Sequence, residues 1–444
     1  MLPRLLRGSV ASPRRQYVKT CGWQRPGCST DRRHLVTLAI ETSCDDTSVA
    51  VAELPSIGPL KVHFHEKVTA NNDAYSGIHP LVALHSHQVN LAPLVHKALA
   101  VSPRPDVIAA TRGPGMRSNL AVGLDTAKGL ALGLNVPFLG IHHMQAHALT
   151  PRLMAAMQAN NGQDTLEPNF PFLTVLASGG HTMLINSTSL TEHTVLAETQ
   201  DTALGDCLDK AARAVLPREA LKPPYGKSLE DFAFPSGALD YDYVAPTRRQ
   251  EELLRRKTRW NWGLAPPLAD SKGGDKTSKR MVYTFAGVLS SVERFMKHKI
   301  SPDGRLASEI RSAEEVTLEE RREMAREVQR VTFEHVVSRI LLHLATLDAS
   351  AVSTIVVSGG VASNSYFRHV MRAMLDARKY GQIRIACPPP SLCTDNALMI
   401  AWAALEMWHA GYTCSLEVEP IRKWSMDPRA EDGGILGVGG WSRR

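Results

Sequence analysis

The sequence predicts an α/β fold with a duplicated, two-lobed architecture. Short apolar runs with the composition of buried strands alternate with longer segments whose apolar residues recur at helical spacing. A hairpin of two apolar strands joined by a small polar corner occurs at 35–54 and again at 172–185. Alternating strands and helices are typical of α/β proteins, and the second hairpin indicates that one lobe design is used twice.

The first lobe is predicted over residues 35–168. Its hairpin joins two strands through the polar corner Glu41–Thr47, and a polar stretch at 155–168 ends the lobe. Between them, periodicity and Gly/Pro signals predict a helix at 77–100, a strand at 106–110, the turn Gly113-Pro-Gly115, a helix at 119–134, a strand at 137–141 and a His-rich helix from about 143.

The second lobe is predicted over residues 169–394. Its elements are the strands 172–177 and 183–185 around the corner Ser178–Thr182, a short helix carrying Asp201, Asp206 and Asp209, and a strand at 353–357 that leads through Ser358–Asn364 into a helix at 365–375. The helix at about 395–412 is expected to complete the first lobe. The Gly-rich segment 426–444 is expected to be a flexible tail.

The positive charge is concentrated at the N-terminus. The chain has 444 residues and a net charge of +7, but residues 1–34 alone contain eight basic residues and one acidic residue. The remainder is therefore formally neutral. An Arg-rich, acid-poor segment with Ser and Thr is typical of a mitochondrial transit peptide, which we predict for residues 1–34. A disordered basic tail and an RNA-binding arm are the alternatives.

Several functional classes are excluded by what the sequence lacks. There is no uninterrupted apolar stretch long enough to predict a membrane span. The seven cysteines include no C-x-x-C pair, so neither a zinc ribbon nor a disulfide framework is indicated. The chain has no G-x-x-x-x-G-K-[ST] run, which excludes a P-loop, and no strand followed by G-x-G-x-x-G, which argues against a Rossmann site.

Two histidines have the spacing of metal ligands. His143 and His147 are four residues apart and therefore share one face of a helix. Asp395, at the start of a later helix, is a candidate third ligand, and two His with one carboxylate suit zinc or iron(II). By spacing alone, an ordinary pair of helix histidines is the alternative. A metalloprotease would require Glu directly after the first His, where this chain has Met144.

Two Gly-containing corners could bind an anion. The backbone N–H groups of Ser178-Gly179-Gly180 could cradle a phosphate, although a tight hairpin turn would use the same residues. Ser358–Asn364 lies between a strand and a helix, where nucleotides commonly bind, but Asn364 could simply cap that helix. Asp209 could accept hydrogen bonds from a ribose or from substrate hydroxyls, or lie on a solvated helix face.

A basic insert is predicted at 246–280. It contains ten basic and four acidic residues together with Trp260 and Trp262. Basic residues interleaved with aromatic ones could contact RNA. The alternative is a solvated surface.

The motifs, taken together and in order, resemble the tRNA N6-adenosine threonylcarbamoyltransferase (TsaD) family. The motifs are Ile40-Glu-Thr-Ser-Cys-Asp-Asp-Thr, Gly113-Pro-Gly, His142-His-Met-Gln-Ala-His147, Ala177-Ser-Gly-Gly-His-Thr, Asp206-Cys-Leu-Asp-Lys, Ser358-Gly-Gly-Val-Ala-Ser-Asn and Cys393-Thr-Asp-Asn. The resemblance covers about 35–420, and with the N-terminal segment it is closest to mitochondrial members. It implies an actin/Hsp70-like (ASKHA) fold with the active site in the cleft between lobes.

The resemblance also implies a reaction and its residues. The threonylcarbamoyl group of threonylcarbamoyl-AMP, supplied by a separate synthase, would be transferred to N6 of the adenosine next to the anticodon in mitochondrial tRNAs reading ANN codons. His143, His147 and Asp395 match the ligands of one divalent metal ion per subunit. The positions that match the acyl-adenylate site are Leu176, Ala177, Ser178, Gly179, Gly180, Asp209, Gly226 and Asn364.

Some assignments stay open at this point. The loop around Gly226 departs from the family pattern, which makes Glu230 an additional candidate for contact with the ribose. Asp45 and Asp46 are candidates for a general base. The expected location is the mitochondrial matrix, as a homodimer or a monomer. An actin-like small-molecule kinase, a nucleotide-binding module without chemistry and a metalloprotease are the alternative functions.

Overall fold

The computed structural model describes residues 34–444 except 73–74, 76, 160–165, 270–276, 303 and 349–350. The predicted transit peptide therefore lies outside the described residues, apart from His34. The strands are β1 (Leu35–Glu41), β2 (Asp46–Leu54), β3 (Lys61–Thr69), β4 (Val107–Gly113), β5 (Phe138–His142), β6 (Phe172–Ala177), β7 (Thr182–Ser187), β8 (His193–Glu198), β9 (His298–Ile300), β10 (Leu306–Ile310), β11 (Thr354–Ser358), β12 (Arg384–Ala386), β13 (Tyr412–Cys414) and β14 (Trp441–Arg443).

The helices follow the same alternation with the strands. They are α1 (Pro80–Val101), α2 (Arg117–Leu134), α3 (His143–Gln158), α4 (Leu204–Val215), α5 (Tyr225–Ala233), α6 (Arg249–Glu252), α7 (Ala286–Lys297), α8 (Leu318–Leu344), α9 (Ser365–Ala377), α10 (Pro390–Cys393), α11 (Ala397–His409) and α12 (Gly434–Gly437). Among the described residues, no helix combines the length and the apolar character needed to cross a membrane.

The first half of the chain is built on a mixed sheet with the strand order β3-β2-β1-β4-β5. The β1–β2 and β2–β3 pairs are antiparallel, whereas β1–β4 and β4–β5 are parallel. Side chains alternate between the two faces of β1: Leu38 packs with residues of α1 and α2, and Ala39 packs with residues of α3 and α11. The sheet is therefore covered by helices on both faces.

The second half repeats this design with the strand order β12-β11-β6-β7-β8. The β6–β7 and β7–β8 pairs are antiparallel, and β6–β11 and β11–β12 are parallel. Leu173 and Val175 of β6 pack into a core shared with α4, α7, α8 and α9. Phe172 and Val356 belong instead to the cluster that contains α3 and α11. Helix α3 thus contacts both sheets.

Seven of the described strands were not predicted from the sequence: β3, β8, β9, β10, β12, β13 and β14. The longest of these are β3 and β8. Both β3 and β8 are edge strands, each paired with one neighbour only. An edge strand is partly solvated, so its sequence carries more polar residues and a weaker strand signal. In β3, Val62, Phe64 and Val68 alternate with His and Lys, and Glu66 interrupts the apolar face. The short helix predicted to carry three acids carries two of them, because α4 begins at Leu204 and leaves Asp201 outside it.

The expectation of a flexible tail at 426–444 is wrong for these residues. Met426 and Ile435 are 2% and 1% exposed, and β14 pairs with β13 in an antiparallel ladder. The indole N–H of Trp441 donates to the Ile435 carbonyl over 2.9 Å. The Gly-rich composition misled the prediction because the glycines here allow close packing of backbone on backbone, as at Gly434, where a side chain would collide with Pro428.

Candidate functional site

The three predicted metal ligands lie together. Strand β5 ends at His142 and α3 begins at His143, so His143 and His147 project from the first turns of one helix, with ring centroids 4.7 Å apart. Asp395 precedes α11, and its Oδ1 is 3.3 Å from Nε2 of His143 and 3.1 Å from Nε2 of His147. One ligand atom from each residue lies within 4.8 Å of the other two.

Glu41, which the sequence analysis did not single out, holds His143 in place. Its Oε2 is 3.1 Å from Nδ1 of His143, and the carboxylate also accepts from the Thr111 hydroxyl. Ser43 Oγ is 3.3 Å from the same His143 nitrogen. A carboxylate on one imidazole nitrogen orients the ring and makes the other nitrogen a better metal ligand. Nε2 of His143 accordingly faces Asp395.

The electrostatics of these residues fit a divalent cation. Burial alone would lower the pKa of His143, but the charges of Asp395 and Glu41 outweigh it and raise that pKa to about 10. Burial would raise the pKa of Asp395, yet the charge of His143 and the hydrogen bonds from both histidines hold it well below the usual range. The site therefore favours positive charge between the buried Glu41 carboxylate and the half-buried Asp395 carboxylate. Two imidazole nitrogens and one carboxylate suit zinc or iron(II).

The two acids of the first corner have different surroundings. Asp46 accepts hydrogen bonds from Lys67, over 2.8 Å, and from the Thr69 hydroxyl. Asp45 accepts a 3.4 Å hydrogen bond from the Asn72 amide and also contacts the Cys44 thiol. Burial, together with the charges of Asp46 and Asp395, raises the pKa of Asp45 to about 6. Of the two predicted bases, Asp45 is the one whose carboxylate is not committed to an ion pair.

The Ser178 corner forms a tight turn with an open outer face. Ser178 Oγ accepts from the backbone N–H of Gly180 and His181 over 3.3 and 3.1 Å. Gly179 and Gly180 are exposed, and the space where their side chains would lie is open. Leu176 and Ala177 precede the corner inside β6 and are buried. The tight turn considered from the sequence is therefore present, and the binding of an anion at its open face stays a prediction.

The corner lies beside the second Gly-containing motif. Leu176 pairs with Ser358 of β11, and the following Gly359 has φ of +88°. A side chain at Gly359 would come within 2.4 Å of the Ala177 carbonyl oxygen, so only glycine fits there. The N-terminus of α4 also meets this corner, because Gly205 N–H donates to the Ser178 carbonyl over 3.0 Å.

Asp209 and Gly226 are brought together, as the resemblance implied. Asp209 Oδ1 accepts from the Gly226 backbone N–H over 2.8 Å, which ties α4 to the start of α5. Burial raises the pKa of Asp209. The carboxylate is half-buried, and its contact with a ribose stays a prediction.

The side chains of Glu230, from α5, and of Asn364 both meet the N-terminus of α9. Glu230 Oε1 accepts from the backbone N–H groups of Ser365 and Tyr366 over 2.7 and 3.2 Å. Asn364 Oδ1 accepts from Phe367 N–H over 2.8 Å, the contact of an N-cap. The capping alternative for Asn364 is therefore confirmed. Contacts of either side chain with substrate stay predictions.

The basic insert is largely committed to internal contacts. Trp262 is buried, and its indole N–H donates to Glu320 over 2.9 Å, so it cannot stack on a base. Arg259 pairs with Glu319 over 2.6 Å and Arg256 with Glu334 over 3.5 Å. Lys272 and Lys276 lie outside the described residues.

Comparison with known proteins gives one family. The model of the family "TsaD: tRNA N6-adenosine threonylcarbamoyltransferase" matches residues 63–402. A mitochondrial tRNA N6-adenosine threonylcarbamoyltransferase of Schizosaccharomyces pombe is 36% identical over 92% of this chain and 89% of its own length. Its namesake from Homo sapiens is 32% identical, covering 88% and 84%. The Methylocapsa acidiphila tRNA N6-adenosine threonylcarbamoyltransferase is 31% identical, covering 89% and 97%. This chain belongs to the tRNA N6-adenosine threonylcarbamoyltransferase family.

Proposed function

We propose that this chain transfers the threonylcarbamoyl group of threonylcarbamoyl-AMP to N6 of the adenosine next to the anticodon in mitochondrial tRNAs reading ANN codons. The observation that carries the proposal is the cluster of two buried histidines, His143 and His147, with the half-buried Asp395, supported by Glu41, in a chain of this family. The location is the mitochondrial matrix, supported by the names of the relatives and by the Arg-rich residues 1–34.

His143, His147 and Asp395 would hold one divalent ion, zinc or iron(II), per subunit. When bound, the ion would polarise an oxygen of the acyl-adenylate and hold the donor in register. The burial of both histidines and the contact of His143 with Glu41 would hold the ligands in place for the ion. Met144, the residue after His143, is 3% exposed and apolar, so a metalloprotease base is absent from its required position.

The acyl-adenylate would be bound by the second half. The exposed Gly179-Gly180 corner, with open space beside both glycines, suits its phosphate, and the half-buried Asp209, tied to Gly226, suits its ribose. We further propose that the two halves are the lobes of an actin/Hsp70-like fold and that the donor lies between them. This placement is supported by α3, which carries the histidines and packs against both sheets.

The transfer itself needs orientation more than activation. The adenosine N6 attacks the carbamoyl carbonyl carbon, the bond from that carbon to the phosphate oxygen breaks, and AMP leaves with the electron pair. One N6 proton must then be removed, and Asp45 is the candidate acceptor because its carboxylate has no ion-pair partner among the described residues. Holding acceptor and carbonyl in contact supplies much of the rate, because AMP is already a good leaving group.

The test is reconstitution with purified components. The full chain, loaded with metal, is incubated with a threonylcarbamoyl-AMP synthase and unmodified mitochondrial tRNA, and modified nucleosides are measured by mass spectrometry. We expect N6-threonylcarbamoyladenosine from wild type and at least a hundredfold less from His147→Ala, since a lost ligand removes the ion. The matched control is His96→Ala, which changes an exposed histidine of α1. Wild-type protein that forms no product would refute the proposed function.

A further inference from the structure

The loop that carries Asp395 is hydrogen-bonded to the first sheet on both sides of that residue. On one side, Lys67 Nζ donates to Thr394 Oγ1 over 3.0 Å. On the other, Ser48 Oγ accepts from the Ala397 backbone N–H over 3.0 Å. The anchors come from β2 and β3, far away in sequence, and they flank the metal ligand by one and two residues. The position of Asp395 therefore depends on this edge of the sheet.

The register of β2 and β3 places the anchors side by side. Ser48 pairs with Lys67 and Asp46 pairs with Thr69 in the antiparallel ladder. Neighbouring partners in such a ladder project from the same face of the sheet. Ser48 Oγ also donates to the Glu66 carbonyl over 3.0 Å, so its acceptor lone pair stays directed at α11. The anchoring side chains are thus fixed by strand pairing before they meet the loop.

Asp46 holds the ammonium group of Lys67 in place. Its two oxygens accept from Lys67, over 2.8 Å, and from Thr69, so the ammonium is held between Asp46 and Thr394. The side chain of Asp46 is 10% exposed and that of Lys67 is 29% exposed. Charge-assisted hydrogen bonds in partly buried surroundings are stronger than surface ion pairs. The Lys67 ammonium also offsets the repulsion between the carboxylates of Asp46 and Asp395.

We propose that Asp46, Lys67 and Thr394 form a latch that positions Asp395 as a metal ligand. Asp46 is then a positioning residue and not the proton acceptor that the sequence suggested as one alternative. The inference rests on the proposed metal site. It extends that site to residues that support the ligands without touching the ion, and mutation of such residues commonly changes metal affinity by 10- to 100-fold.

The latch is tested by zinc affinity, measured on the full chain by competition with a chromophoric chelator and without any substrate. Thr394→Val removes the acceptor hydroxyl at an exposed position while leaving the Lys67–Asp46 pair, so folding should be preserved. We expect about tenfold weaker zinc binding for Thr394→Val and 10- to 100-fold weaker binding for Lys67→Met and Asp46→Asn. Lys67→Arg, which keeps a charged donor, should recover part of the affinity.

The matched control is Lys97→Met. Lys97 of α1 pairs with Glu66 of β3 at 3.0 Å, and both side chains are exposed, so this variant removes an equal charge without touching the loop. Zinc affinities of Thr394→Val, Lys67→Met and Asp46→Asn equal to wild type would overturn the latch. If Asp46→Asn bound zinc normally and lost only turnover, Asp46 would be the base instead. Wild-type protein without zinc affinity would overturn the metal site, and the latch with it, whatever the transfer assay shows.

Discussion

At the residue scale, the sequence predicted the cluster of His143, His147 and Asp395 but not the residues that orient it. The i, i+4 spacing of His143 and His147 is a local signal, and it correctly predicts one helix face. Glu41 lies in a different strand, and nothing within its own segment shows that its carboxylate meets Nδ1 of His143. Lys67 was missed for the same reason. Contacts between distant segments are set by sheet topology, which periodicity does not report.

The raised pKa of Asp45 predicts a pH effect on stability. In the metal-free protein the folded state holds a proton up to about pH 6, whereas the ordinary value is 3.8. The folded state therefore binds more protons within that window, and stability falls as the pH rises through it. The change in pKa from 3.8 to about 6 corresponds to about 3 kcal/mol at pH 7, and solvent screening of this half-buried carboxylate reduces the effect. Asp45→Asn should therefore raise the free energy of unfolding at pH 7 by about 2 kcal/mol.

Chemical denaturation with a chelator present, at pH 7 and at pH 3.5, measures this effect. At the lower pH both proteins are neutral at this position, so the difference should largely vanish. An equal difference at both pH values would show that burial of the Asp45 charge is not its cause. The lack of an ion-pair partner for this carboxylate would then need another explanation.

At the element scale, the C-terminal segment shows how composition can mislead. Met426 packs with Met144 of α3 and with Leu176 and Met183 of the second sheet. The carbonyl of Trp424 is 3.1 Å from Nε2 of His142, the residue that precedes the metal ligand His143. The segment that was expected to be a free tail therefore supports α3 at its N-terminal end and joins it to the second sheet.

Met426→Ala should destabilise the protein by about 2–4 kcal/mol, because it leaves a cavity among well-packed side chains. Met426 is 2% exposed. Equilibrium denaturation measures the loss, and Leu436→Ala, which truncates a 36% exposed residue of the same segment, is the control with an expected change below 1 kcal/mol. A loss for Met426→Ala no larger than that of the control would contradict the packing role assigned to the segment.

At the scale of the whole molecule, strand–helix alternation was sufficient to predict an α/β fold with two similar halves. The interior strands were predicted well: the bounds of β6 agree with the prediction, and those of β11 differ by one residue. Edge strands β3 and β8 were missed because their polar faces weaken the periodic signal. Yet β3 carries Lys67, whose ammonium donates to Thr394 in the loop that carries Asp395. The elements that are hardest to predict locally thus contribute directly to the site.

The central claim is that a metal ion held by His143, His147 and Asp395 is required for threonylcarbamoyl transfer to tRNA. The most direct test titrates metal-free full chain with zinc or iron(II) and measures bound metal and N6-threonylcarbamoyladenosine formation in the same samples. We predict that product formation rises in proportion to bound metal, saturates at one ion per chain, and is lost together with tight binding in Asp395→Asn. Full product formation by protein without bound metal would contradict the claim.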